Sequence, residues 1–141
     1  MRFLIAVFAL AGIVVSVLAL QVHYSTDTQP CSVNERWDCG IVNHSSFAEV
    51  EHVPVAAIGV AGYVVLGVLG WFRRRFLLLL VALGGLGFAL RLTFLEEYVL
   101  QVWCFYCVIS QAIIAAIALL SLGWFTVEYA RLSRSARSVE T

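Results

Sequence analysis

Phe3 to Val22 is a run of twenty residues without a charged side chain. As a helix it is about 30 Å long, the thickness of a bilayer's hydrocarbon core. Three more such runs follow. Val53 to Phe72 is uncharged over twenty residues, Phe76 to Leu95 is broken only by Arg91, and Tyr98 to Val127 is uncharged over thirty. These runs constrain the chain more than any other feature. Lipid offers backbone groups no water, so a spanning segment must satisfy them internally, and long uniform apolar runs do so as helices. Of the 141 residues, 62% are hydrophobic, more than a soluble domain of this length can bury. The fold expected is an all-α membrane protein, a four-transmembrane-helix bundle forming one integral-membrane domain over 1–141.

The spans expected are 3–22, 53–72, 76–95 and about 101–124, since the last run exceeds one crossing. The alternative for the first run is a cleaved signal peptide. That would have an apolar core of about 7–15 residues and a small-x-small cleavage site. The run is longer, and Ala19-Leu20-Gln21-Val22 offers a poor site, so a retained helix is expected. Gly59-x-x-Gly62 and Gly84-Gly85-x-Gly87 supply small surfaces for close helix packing. Glu96-Glu97 reads as a tight connection between the last two spans. The tail, 128–141, is short and polar and is expected to fray.

Residues 23–52 form the one long polar segment, with five of the nine acids. Pro30, Asn34, Asp38 and Gly40 break it up. Ser46 and Glu49 are spaced as a capping box, which predicts a short half-helix over 46–52. With four spans both termini share a side. That side carries Arg2, Arg73 to Arg75, Arg131, Arg134 and Arg137, seven of the nine arginines. The positive-inside rule therefore places both termini in the cytoplasm, with the 23–52 loop facing a periplasm or lumen. There is no basic cluster interleaved with aromatics, so no nucleic-acid partner is expected.

Chemistry concentrates in four cysteines. Cys104 and Cys107 form a C-x-x-C motif inside the fourth apolar run, and Cys31 and Cys39 lie in the polar loop. Cysteines three apart on a helix share a face, at a separation a disulfide tolerates. A fourth helix beginning near 99–103 places Cys104 by an N-terminus, where the dipole favours the reactive thiolate. These features predict a redox pair that exchanges two electrons with the loop pair. The plainer readings are two buried cysteines acting as small hydrophobes, a four-thiolate zinc site, and a static Cys31–Cys39 loop disulfide. Zinc sites favour two close-spaced pairs, and Cys31 and Cys39 have seven residues between them, so no metal is expected. His23, His44 and His52 show no ligand spacing. Arg91 reads as a residue reaching for the outer interface. Trp103, Phe105 and Tyr106 read either as an interface belt or as walls for a ring-shaped ligand.

Cys39-Gly-Ile-Val-Asn-His-Ser45, together with Cys104-Phe-Tyr-Cys107 and four spans, resembles the vitamin K epoxide reductase family, in the form of a bacterial-type homologue without a fused thioredoxin-like domain. The resemblance covers roughly residues 3–127. It implies a four-helix bundle around a quinone of the ubiquinone, menaquinone or phylloquinone type. Cys104 and Cys107 would be the active pair, with Cys107 facing the quinone, and Cys31 and Cys39 the shuttle pair. Ser45 maps onto a pocket residue, and Phe47 would cap the ring. Asn43 and Gln111 are further candidate quinone contacts. Two stretches, Val55-Ala56-Ala57 and Val108-Ile109-Ser110-Gln111, lack the pocket asparagine and tyrosine of the vertebrate enzymes. That bears on vitamin K epoxide as a substrate. The implied activity is a membrane thiol–disulfide oxidoreductase of a bacterial inner membrane, with its active site facing the periplasm. It would reduce the quinone pool while oxidising a thioredoxin-like periplasmic protein. The alternatives are a non-catalytic metal-binding membrane protein and a quinone or vitamin K epoxide reductase running on other reductants.

Overall fold

The computed structural model describes residues 2–24, 49–101 and 103–140. Four long helices dominate this part of the chain. They are α1 (Arg2–Tyr24), α2 (Val55–Trp71), α3 (Arg75–Leu95) and α4 (Phe105–Glu140). Three apolar stretches, Arg2–Val22, Arg75–Val99 and Phe105–Glu140, are long enough to cross a membrane, and α2 is a shorter apolar helix. The protein is a helical membrane protein. Its lipid-facing surface is apolar, with Val7, Leu10, Leu80, Leu83 and Leu119 all at least half exposed. In water such a surface would drive aggregation, whereas against acyl chains it carries no penalty.

α1 packs on α2 and α4, and α3 packs on α4 and α2. The four helices thus close a ring around Ile5, Tyr63, Leu66, Leu78, Ala82, Ile114 and Ile117. Small residues set the α1–α2 approach. A Cβ on Gly12 would fall 2.4 Å from the Tyr63 ring, and one on Gly70 would fall 2.8 Å from Ile5. Close backbone approach through small residues is how apolar helices associate without a hydrophobic drive. On the α3–α4 side the approach is looser, and a Cβ on Gly85 would meet Ile114 at 3.4 Å.

The turn between α2 and α3 is compact because Arg73 adopts a left-handed conformation, φ 57°. The Arg74 N–H then donates back to the Leu69 carbonyl at 2.9 Å. Arg75 leaves this turn to pair with Glu128 at 3.5 Å and to lie 5.0 Å over the Trp124 ring. Arg2 lies 5.1 Å over Trp71 at the same end of the bundle. Arginine guanidinium groups over tryptophan faces suit a membrane–water interface, where one side of each ring is apolar and the other wet.

The structure departs from the sequence reading in three places. Residues 49–54 form a two-stranded hairpin, β1 (Glu49–Val50) against β2 (Val53–Pro54), where a half-helix was expected to run to residue 52. Glu51 and His52 are both left-handed, φ 51° and 69°, which turns the chain back on itself as a primed hairpin turn does. Residues 46–48 of the expected half-helix lie outside the described residues. The second departure is the tail, expected to fray, which continues α4 as helix to Glu140. Extending an existing helix costs little because its nucleus is already formed. The third departure is at Glu96 and Glu97, which do not make a simple connection. They begin a π-helical turn, Glu96–Leu100, that continues directly from α3.

Candidate functional site

The site is built where α3 ends and α4 begins. The π turn widens the helix, and Gln101 then takes a left-handed conformation, φ 55°, ψ 25°. Eight residues along an uninterrupted α-helix would separate two groups by about 12 Å. Here the break folds residue 104 back beside residue 96. The Cys104 backbone N–H donates to a Glu96 carboxylate oxygen at 3.3 Å. One residue on, Glu97 accepts a 2.8 Å bond from the Trp103 indole N–H, which ties the same two segments a second time.

α4 starts immediately after Cys104, whose carbonyl accepts the Val108 N–H at 3.1 Å. Cys104 therefore sits just before the first turn of α4, and Cys107 lies within that turn. Both are thiols in the structure. Cys104 is fully buried, and Cys107 is half-buried. The Cys107 thiol is in hydrogen-bond contact with both Cys104 and the Glu96 side chain. Glu96 is only 3% exposed, so a carboxyl group is held in the bundle interior with the two thiols as its neighbours.

Cys107 and Glu96 line a cavity of about 340 Å³ between the four helices. Its walls are mostly apolar, including Ala19, Leu66, Val81 and Phe88. A few polar groups converge on it, namely Ser16, Tyr63, Thr93 and Ser110. The Tyr63 hydroxyl donates to the Ser110 carbonyl at 2.8 Å and stands 2.8 Å from the Ser110 hydroxyl. The volume lies in the range of small-molecule sites, and apolar walls with a few placed polar groups are their usual composition. Cys104 is not among the lining residues, so the cavity meets the pair through Cys107.

The structure brings together Cys104 and Cys107, two of the four expected redox cysteines. Cys31 and Cys39 lie outside the described residues, as do Asn43, Ser45 and Phe47. Gln111 is held by a hydrogen bond with Thr93, and it is Thr93 that lines the cavity. The aromatic residues of the motif divide. Tyr106 faces the cavity, Phe105 is half exposed on the outside, and Trp103 is engaged with Glu97. Sequence reasoning missed Glu96, Tyr63 and Ser110. The one available signal for Glu96 was an acid inside an otherwise apolar stretch, which by default marks function in a membrane protein.

A model described as the vitamin K epoxide reductase family matches residues 3–122. The matched stretch contains all four cysteines and the whole cavity lining. No curated protein matches the chain.

Proposed function

The chain belongs to the vitamin K epoxide reductase family, and from that premise we propose that it oxidises a thioredoxin-like periplasmic protein and passes the electrons to a membrane quinone. Membership makes it a membrane quinone-linked thiol oxidoreductase in general terms. The direction, the partner and the roles of individual residues are our reading. One observation carries it: Cys107, of a C-x-x-C pair, opens onto an apolar cavity of about 340 Å³ inside a membrane bundle. A flat lipid-soluble ring suits such walls, and Tyr63, Ser110 and Thr93 are hydroxyl groups placed to meet its carbonyls. A bound quinone supplies a two-electron acceptor at this place.

The protein's own residues then divide the work. Cys31 and Cys39, in the loop, take electrons from the partner by thiol–disulfide exchange. Exchange passes through a mixed disulfide, most directly Cys39–Cys104, and leaves Cys104 and Cys107 reduced. Cys107 faces the cavity, and Cys104 stands behind it as the resolving thiol. Oxidation of the pair back to its disulfide releases two electrons and two protons to the quinone. In this reading α2 is a fourth span, since its 17 residues are at the short end of a bilayer crossing. In this reading both termini lie in the cytoplasm of a bacterial inner membrane and the cysteines face the periplasm, an orientation that the bias of the arginines supports.

The test is one assay with purified protein, a reduced thioredoxin-like partner and a short-chain quinone, following thiol loss and quinone absorbance together. Equal consumption of dithiol and quinone is expected. Thiol loss without quinone reduction would remove the acceptor from this reading.

A further inference from the structure

Glu96 is a buried acid that the thiol relay does not use. It is 3% exposed, lines the cavity, and holds the Cys104 N–H at 3.3 Å. Its side chain also contacts the Cys107 thiol. An ionised carboxylate in an apolar interior is costly unless it is hydrogen-bonded or can exchange its charge for a proton. Among the described residues no arginine or histidine pairs with it, and its hydrogen bonds are to Cys104 and Cys107. A backbone staple alone has no need of an acid. An amide or a hydroxyl could accept the Cys104 N–H without the cost of a charge.

We infer that Glu96 is a catalytic residue, the group that takes the S–H proton of Cys107 and delivers it towards the cavity. The inference rests on the thiol-to-quinone reading above. The balance is simple. The Glu96 carboxylate accepts the Cys107 proton, which leaves a thiolate on the sulfur that faces the acceptor. Cys104 and Cys107 then form their disulfide and give up two electrons. One proton leaves from the Glu96 carboxyl and one from the Cys104 thiol. Both go to the quinone oxygens, so the quinone becomes the quinol and Glu96 returns to carboxylate. The geometry suits this order. One side chain touches the thiol and lines the cavity, and its hydrogen bond to the Cys104 N–H fixes it between the two.

The experiment uses Glu96→Gln in the purified full chain. Glutamine keeps a carbonyl oxygen for the Cys104 N–H, so a purely structural role predicts no change. A proton-transfer role predicts that single-turnover oxidation of the reduced Cys104–Cys107 pair by a short-chain quinone slows about a hundredfold. Alkylation of Cys107 by a small maleimide should slow in parallel with no quinone present. Glu96→Asp, which keeps an acid, should recover part of both rates. Wild-type rates in Glu96→Gln overturn the inference.

A second measurement leaves Glu96 in place. Infrared difference spectra of wild-type protein between the disulfide and dithiol states should show a protonated-carboxyl band that changes with the state of the pair. The band should persist in Glu97→Gln, whose carboxylate is engaged with Trp103. Its absence from wild-type protein overturns the inference even if Glu96→Gln does not fold. If wild-type protein reduces no quinone while the infrared band and the alkylation effect remain, the functional reading fails and the role of Glu96 towards Cys107 stands.

Discussion

The ring of Tyr63 lies against the bare backbone of Gly12, where any Cβ would come within 2.4 Å of it. The same ring carries its hydroxyl across the bundle to Ser110, three residues after Cys107. A packing contact between α1 and α2 thus fixes a polar group in the cavity wall. Fold and site meet in one side chain.

Gly12→Ala should therefore destabilise the bundle. The ring is 4% exposed and its hydroxyl is tied to Ser110, so the cost should be that of overpacking, about 1–3 kcal/mol. Tyr63→Phe keeps the ring and loses only the hydroxyl, and should cost about 1 kcal/mol. Combining Gly12→Ala with Tyr63→Leu should cost less than the sum, since the smaller side chain relieves the clash. Thermal unfolding in detergent measures all of these. An unchanged midpoint for Gly12→Ala would mean the helices are not this close.

The helices and the membrane environment were legible in the sequence because charge is costly in lipid, so uncharged runs mark the spans directly. Cys104-Phe-Tyr-Cys107 was legible because its spacing is local. What was hidden depends on backbone conformations that no side-chain pattern announces. Nothing about Gln101 as a residue requires φ 55°, yet that conformation and the π turn before it bring Glu96 to Cys104. Glu51 and His52 likewise carry no glycine signal for the left-handed turn they make, while Ser46 and Glu49 carry a strong helix-start signal. The 128–140 tail misled in the opposite sense. Its arginines and serines read as solvated chain, but they sit on a helix already nucleated in the membrane.

The proposed topology puts seven arginines on one side of four spans. In a cysteine-free variant, single cysteines placed at Arg73 or Ser135 should resist an impermeant thiol reagent in intact cells. Cysteines placed in the 23–52 loop should react. Labelling at Ser135 from outside would sink the fourth crossing by α2.

The proposed relay has an order that can be caught chemically. Cys107→Ser removes the thiol on which a Cys104 mixed disulfide would resolve, so a Cys39–Cys104 linkage should accumulate when the loop pair is oxidised. Peptide mapping under non-reducing conditions identifies it. A dominant Cys31–Cys104 linkage would exchange the roles of the two loop cysteines.

The cavity can be filled without disturbing the bundle. Gly62 lines it, and a Cβ there would meet nothing within 4 Å. Gly62→Leu should therefore extend into the cavity rather than clash with a helix, and should raise helix propensity at the same position. Its side chain would occupy volume that a quinone ring needs within about 340 Å³. Binding weakened by about 1.4 kcal/mol corresponds to tenfold in affinity, and we expect the KM for a short-chain quinone to rise at least about that much. In the proposed relay, exchange between the partner and the Cys31–Cys39 pair does not use the cavity, so its rate should be kept. Thermal unfolding should be unchanged or slightly raised. A normal quinone KM in a stable Gly62→Leu protein would place the quinone somewhere other than this cavity. A parallel loss of partner exchange would mean that the variant disturbs the bundle as a whole, and a smaller Gly62→Ala change should then separate the two effects.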